Sequence, residues 1–143
     1  MEIKHIQSFF KAVGNSGCYA LCLVNLAQKQ GKKLDIIEAL LLGIEKGFIK
    51  FNWNNYDDKE NFFVSRPDAF FSMLIGETYY VKFALSDYVS KNGEFEVQFW
   101  ALNQDQAEQG KGHFVLSVEE NPLQNSNTMK FGRCYSKRIF YKR

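Results

Sequence analysis

The sequence predicts an α+β domain in which helices come first and a mostly antiparallel sheet follows. Up to Gly76, apolar residues recur at helical spacing, whereas the later runs YYVKFAL, EFEVQFWAL and HFVLSVEE alternate or are rich in β-branched and aromatic residues. Helical runs followed by strand runs are typical of α+β folds. The chain has 143 residues, 45% of them hydrophobic, so we expect residues 1–143 to form a single domain.

The first strong helical pattern follows the stretch GNSGCYALC. Apolar residues from Cys18 to Gln30 fit one helical face better than they fit alternation. The small residues before it suggest a turn in which Asn15 or Ser16 caps the helix, and Gly31 is a natural stop. We therefore predict a helix that opens at Cys18.

Two more helices are predicted before the sheet. In LDIIEALLLGIEKGFI, Asp35 and Glu38 have the spacing of a capping box, and Gly47 supplies a left-handed exit. This helix is so apolar that we expect it to be mostly buried. The stretch NWNNYDDKEN reads as a loop, and SRPDAFFSMLIG predicts a short helix between Pro67 and Gly76.

Turn signals predict how the strands pair. Residues 91–93, Lys-Asn-Gly, indicate a hairpin, and NPLQNSN indicates another. A hairpin centred near Leu123 would place Gly132 or Arg133 opposite His113. The terminal run KRIFYKR suggests a last strand at the edge of the sheet.

Charge and composition exclude several classes of protein. The formal net charge is +2 and the basic residues do not form one long run, which argues against nucleic-acid binding. No stretch approaches the roughly 20 apolar residues that span a bilayer, and the N-terminus lacks a signal-peptide pattern. Three cysteines, two of them one helical turn apart, make a poor disulfide framework. We expect a cytoplasmic protein with no membrane partner.

Cys18 is the candidate nucleophile. A thiol in the first turn of a helix lies near unpaired backbone N–H groups and the positive end of the helix dipole, which favour the thiolate. The dipole lowers a thiol pKa by at most roughly 1.5 units, so a neighbouring imidazolium must supply the rest. His113 opens the apolar strand HFVLS after a polar segment, where a base is held on one side and reachable on the other. His5, in a lysine-flanked segment, is the alternative partner.

These two residues resemble the catalytic pair of a known family. A cysteine that opens a helix near the N-terminus, followed far downstream by the strand start GHFVL, resembles the papain-like cysteine peptidases. The compact bacterial branch, the double-glycine bacteriocin-processing peptidases, is the nearest in type. The resemblance implies a papain-like domain in which Cys18 attacks an acyl carbon and His113 acts as base and acid, without metal or organic cofactor. GFIKFNW and NFFVSRPDAFFSMLIG also resemble an uncharacterised prophage- and plasmid-borne bacterial family, which implies a peptide or peptidoglycan-like substrate.

The resemblance leaves two roles to be filled. The family usually carries a glutamine six residues before the cysteine to bind the oxyanion, and this chain has Ala12 there. Asn15, or backbone N–H groups around Cys18, are the candidate substitutes. Relatives also orient the histidine with Asn or Asp from the next strand, and Asn121 is the candidate for that role.

Alternatives of other kinds remain. Free cysteine is a frequently buried residue, so Cys18 can simply belong to the core, as we expect for Cys22. A zinc site built from thiols and an imidazole is a second alternative, with the ligands Cys18, Cys22, His113 and Cys134. A papain-like binding module without chemistry is a third, with a peptide cleft lined by Trp53, Tyr56, Trp100 and Tyr135.

Overall fold

The computed structural model describes residues 3–116 and 132–143, which fall into two compact units. Met1–Ile75 is a helical unit and Gly76–Arg143 is a sheet unit. Every strand pair in the described residues is antiparallel, which confirms the predicted α+β class. The assignment of residues 1–143 to one papain-like domain stays a prediction. Within the described residues no helix is long and apolar enough to cross a membrane.

The helical unit contains four helices and a two-stranded ribbon. The elements are α1 (Ile3–Ser16), α2 (Cys18–Lys29), α3 (Ile36–Glu45), β1 (Ile49–Lys50), β2 (Phe63–Val64) and α4 (Pro67–Ile75). The helix α2 packs against α3 and α4. The core of the helical unit includes fully buried side chains from these three helices, among them Leu23, Val24, Leu40, Phe70 and Phe71. Burial of these apolar side chains stabilises the unit.

The boundaries of the predicted helices are confirmed in detail. The helix α2 begins at Cys18, and Gly31 follows it with φ +91°. The Asp35 carboxylate accepts a hydrogen bond from the Glu38 backbone N–H at 2.9 Å, which is the N-cap half of the predicted capping box. The expectation of a mostly buried α3 is wrong, because only one of its faces packs and Leu42 is 39% exposed on the other.

The predicted turn before Cys18 is wrong. Residues 14–16 continue α1, so Asn15 and Ser16 lie inside a helix and Gly17 occupies the capping position of α2 without a side-chain cap. Gly17 donates its N–H to the Val13 carbonyl and accepts a hydrogen bond from the Leu21 N–H, each at 2.8 Å. The two helices thus share a hydrogen-bond ladder through one glycine.

The sheet unit contains a four-stranded sheet whose strand order is not sequential. The elements are β3 (Tyr80–Leu85), β4 (Phe95–Ala101), α5 (Gln104–Glu108), β5 (His113–Val115) and β6 (Arg133–Tyr141). The strand order is β3-β6-β4-β5. The terminal strand is central rather than at an edge, and the turn at residues 91–93 joins strands that β6 separates. The predicted edge position of the last strand and the predicted hairpin at residues 91–93 are therefore wrong, whereas the predicted NPLQNSN turn lies outside the described residues.

The position of β5 corrects the predicted partner of His113. Both edges of β6 are occupied, by β3 and β4, so β5 pairs with the free edge of β4. Trp100 lies opposite His113, while Arg133 pairs with Ala101. The predicted placement of Gly132 or Arg133 opposite His113 is thus wrong.

Candidate functional site

Cys18 and Cys22 both lie on α2 but differ in burial. Cys18 is half-buried at the first residue of the helix, whereas Cys22, one turn later, is fully buried. The core assignment of Cys22 is thereby confirmed. None of the three cysteines, all of which lie in the described residues, forms a disulfide. Of the two cysteines on α2, Cys18 is therefore the partly exposed one.

His113 begins β5 and is half-buried. The preceding Gly112 lies so close to β4 that a Cβ there would collide with the carbonyl oxygen of Trp100. Burial lowers the pKa of the His113 imidazole below its usual value of 6.5. A neutral imidazole can accept a proton, so the environment suits a general base.

His113 lies opposite the end of a row of polar side chains on β4. Trp100 donates its indole N–H to the Gln98 side-chain oxygen at 2.9 Å, and Gln98 donates to a Glu96 carboxylate oxygen at 2.7 Å. Lys137 lies 3.2 Å from the other oxygen of that carboxylate. Since alternate residues of a strand share a face, these side chains line one side of the sheet. The row fixes the indole that neighbours His113.

The two remaining histidine and cysteine candidates have other surroundings. His5 Nδ1 lies 3.2 Å from the Tyr56 hydroxyl, which ties α1 to the 52–61 loop. Cys134 is half-buried in β6, and burial raises the pKa of its thiol. Within residues 3–116 and 132–143, no group of three or more His, Cys, Asp or Glu side chains can hold a metal ion. The zinc alternative therefore gains no support.

The remaining predicted roles have not been tested. Asn15 lies in the last turn of α1, and its role as an oxyanion donor stays a prediction. Asn121 lies outside the described residues, so the same holds for its role in orienting the histidine. Ala12 stands where the family that the chain resembles carries glutamine, and its side chain is buried in α1. We place no side-chain oxyanion donor at that position.

The helical unit contains a cavity that the sequence analysis did not predict. A cavity of about 520 Å³ lies between α1 and the loop that joins β1 to β2. Its lining consists of Ser8, Lys11, Ala12, Asn54, Asn55, Tyr56, Asp57, Asp58 and Lys59. A volume of this size falls in the range of roughly 300–1,000 Å³ that is usual for small-ligand sites.

The wall that the loop forms is held by its own asparagines. Asn61 is 3% exposed, donates its side-chain amide to the carbonyl oxygens of Asn55 and Tyr56, and accepts a hydrogen bond from the Asn52 N–H at 2.7 Å. Asn52 in turn donates to the Asp58 carboxylate at 3.2 Å. Such a bonded loop has a fixed shape. The signal in the sequence was the closely spaced Asn and Asp residues, which favour side-chain-bonded turns.

Hydrogen bonds keep Asp58 ionised at this wall. The backbone N–H of Glu60 and the side chain of Asn52 donate to its carboxylate, and together they lower its pKa.

The chain was compared with known proteins, and no protein-family model, curated protein or solved structure matches it.

Proposed function

We propose that the protein is a cysteine hydrolase that cleaves an amide bond in a peptide-like substrate. The observation that carries the proposal is the half-buried thiol of Cys18 at the first residue of α2, in contrast to the sealed thiol of Cys22. The second support is His113, whose imidazole is held at a strand end and kept neutral by burial. The proposal requires these two side chains to share a proton.

The chemistry follows from the two groups. His113 takes the proton of the Cys18 thiol, and the thiolate attacks the amide carbonyl to form a tetrahedral intermediate. The imidazolium then protonates the leaving amine, which leaves a thioester on Cys18. His113 next activates a water molecule that attacks the thioester, and it returns the proton to the departing thiolate. The imidazole must contribute most to thiolate formation, because a helix dipole lowers a thiol pKa by at most roughly 1.5 units.

A papain-like binding module without chemistry is the alternative, and the alanine at position 12 favours it. Such a module would also present Cys18 to solvent. It would not need a thiolate. The protonation state of Cys18 therefore separates the two functions.

The experiment is alkylation of the native protein with iodoacetamide between pH 5 and pH 9, with each cysteine followed by mass spectrometry. Exposure alone makes Cys18 faster than Cys22, so the pH at half-maximal rate is the informative quantity. For a hydrolase we expect Cys18 to react well below pH 8, and we expect His113→Gln to move that midpoint upward by at least one pH unit. His5→Gln is the matched control and should leave the profile unchanged. If Cys18 instead shows the pH profile of an ordinary thiol and His113→Gln does not change it, the hydrolase is contradicted and the binding module is favoured.

A further inference from the structure

The cavity of the helical unit offers charges of both signs to a ligand. Lys11 and Lys59 bring two positive charges to its lining, and Asp57 and Asp58 bring two negative ones. Asp58 is committed to the hydrogen bonds within the loop. In the part of the chain that the structure describes, the side chains of Lys11, Lys59 and Asp57 have no hydrogen-bond or salt-bridge partner. These three groups are exposed and available.

The chemistry of the wall selects a class of ligand. Because the charges of the lining cancel, an anion such as phosphate gains little from the field of the whole cavity. A ligand that carries one amine and one carboxylate can pair with an aspartate and a lysine at once. Ser8, Asn54 and Asn55 add a hydroxyl and two amides, which suit the N–H and C=O groups of a peptide.

We propose that this cavity binds a peptide segment that carries both a positive and a negative side chain. This inference rests on the proposed function: the cavity is the part of the substrate site that recognises charged side chains near the cleaved amide. Asp57 pairs with the amine, and Lys11 or Lys59 pairs with the carboxylate. The loop held by Asn61 keeps these groups in place before the ligand arrives, which limits the entropy cost of binding.

The distance from the cavity to the nucleophile fits this role. Ala12 lines the cavity and lies six residues before Cys18 on helices that one glycine joins. At about 1.5 Å per helical residue the separation along the helices is about 9 Å. An extended peptide covers that distance with about three residues at about 3.3 Å each. The charged segment would thus lie about three residues from the amide that Cys18 attacks.

The test is an NMR titration of the full chain carrying Cys18→Ser, so that binding is measured without hydrolysis. The probe is the blocked tetrapeptide acetyl-Ala-Lys-Asp-Ala-amide, and its uncharged counterpart is acetyl-Ala-Gln-Asn-Ala-amide. We expect saturable shifts in the backbone amides of residues 54–59, with at least fivefold weaker binding of the uncharged peptide. Asp57→Asn should weaken binding of the charged probe about fivefold, and so should Lys11→Gln or Lys59→Gln, whichever lysine pairs with the carboxylate.

Matched charge removals elsewhere serve as controls. Lys33→Gln and Asp87→Asn change exposed residues outside the cavity lining and should bind the charged probe like the parent protein. Equal affinity for the two peptides would overturn the site. So would NMR shifts that occur only in residues other than 8–12 and 54–59. If the peptide binds at the cavity but Cys18 shows an ordinary thiol alkylation profile, the hydrolase proposal is wrong and the cavity is not a substrate subsite. If Cys18 is reactive but the peptide does not bind, only the subsite proposal is wrong.

Discussion

Gly17 is the residue that lets α1 and α2 join without a gap. An added Cβ would lie 2.5 Å from the Val13 carbonyl oxygen, a backbone atom that cannot move aside cheaply. We expect Gly17→Ala to lower the free energy of unfolding by about 1–3 kcal/mol, since the junction must distort to accept the methyl group. Urea denaturation followed by circular dichroism measures this change.

Gly14, one turn earlier in α1, is the matched control. A Cβ there meets nothing within 4 Å, so Gly14→Ala should stabilise the protein by about 0.5–1 kcal/mol through the better helix propensity of alanine. If the two substitutions changed stability in the same direction and by the same amount, the close approach at Gly17 would be contradicted.

The buried imidazole of His113 makes stability depend on pH. Burial lowers the pKa of His113 below 6.5, and Cys18→Ser removes the proposed thiolate partner, so we expect the unfolded chain of this variant to bind a proton more readily than the folded one. The contribution of His113 is neutral above about pH 6.5 and becomes destabilising as the pH falls below it. We expect the urea midpoint to fall less between pH 8 and pH 5 once His113→Gln is added. An unchanged pH dependence would show that the imidazole titrates as it does in the unfolded chain.

Sequence context identified single residues well where the chemistry is local. A thiol before an apolar helical face and a histidine before an apolar strand were recognisable, and so was the Asp35 cap, because each depends on a few neighbouring residues. The junction at Gly17 was not, since small residues favour a turn as readily as a close helix contact. The partner of His113 was also missed, because it depends on a strand pairing that neighbouring residues do not determine.

At the scale of elements, one ion pair on the sheet differs from the others in its exposure. The side chains of Lys137 and Glu96 are 12% and 20% exposed, and Lys137 also donates to the Tyr88 carbonyl oxygen at 2.7 Å. The pair Lys142–Glu77, in the same unit, is 47% and 58% exposed. Screening by water should make the second pair much weaker.

A double-mutant cycle on each pair tests this difference. With Lys137→Met and Glu96→Gln we expect a coupling of about 1–2 kcal/mol, because removal of either partner leaves a poorly hydrated charge. With Lys142→Met and Glu77→Gln we expect less than about 0.5 kcal/mol. Equal couplings, measured by urea denaturation, would contradict the burial of the Lys137–Glu96 pair.

The elements themselves were more predictable than their arrangement. The starts of α3 and α4 were readable from Asp35 and Pro67, and the ends of α2, α3 and α4 from the glycines that follow them, because those signals act within one turn. The order of the strands was not, because β6 inserts between β3 and β4 from the far end of the chain. A turn such as residues 91–93 indicates a reversal but does not require the strands beside it to pair. The five-residue α5 was missed because its composition is that of a polar loop.

At the scale of the whole molecule, the α+β class followed from the order of patterns along the chain. The two units divide where the pattern changes, at Ile75 and Gly76. The proposed chemistry takes one residue from each, Cys18 from the helical unit and His113 from the sheet unit. The proposed hydrolysis therefore depends on proton sharing between residues that are 95 positions apart.

The titration of His113 tests that claim most directly. Because the chain has two histidines, the ring signals of His5 and His113 can be assigned by single substitutions and followed by NMR from pH 4 to pH 9. If a Cys18 thiolate faces the imidazole, His113 in the unmodified protein should titrate at least one pH unit above His113 in Cys18→Ser. The same titration in both proteins would contradict the dyad and leave His113 as a residue of the sheet.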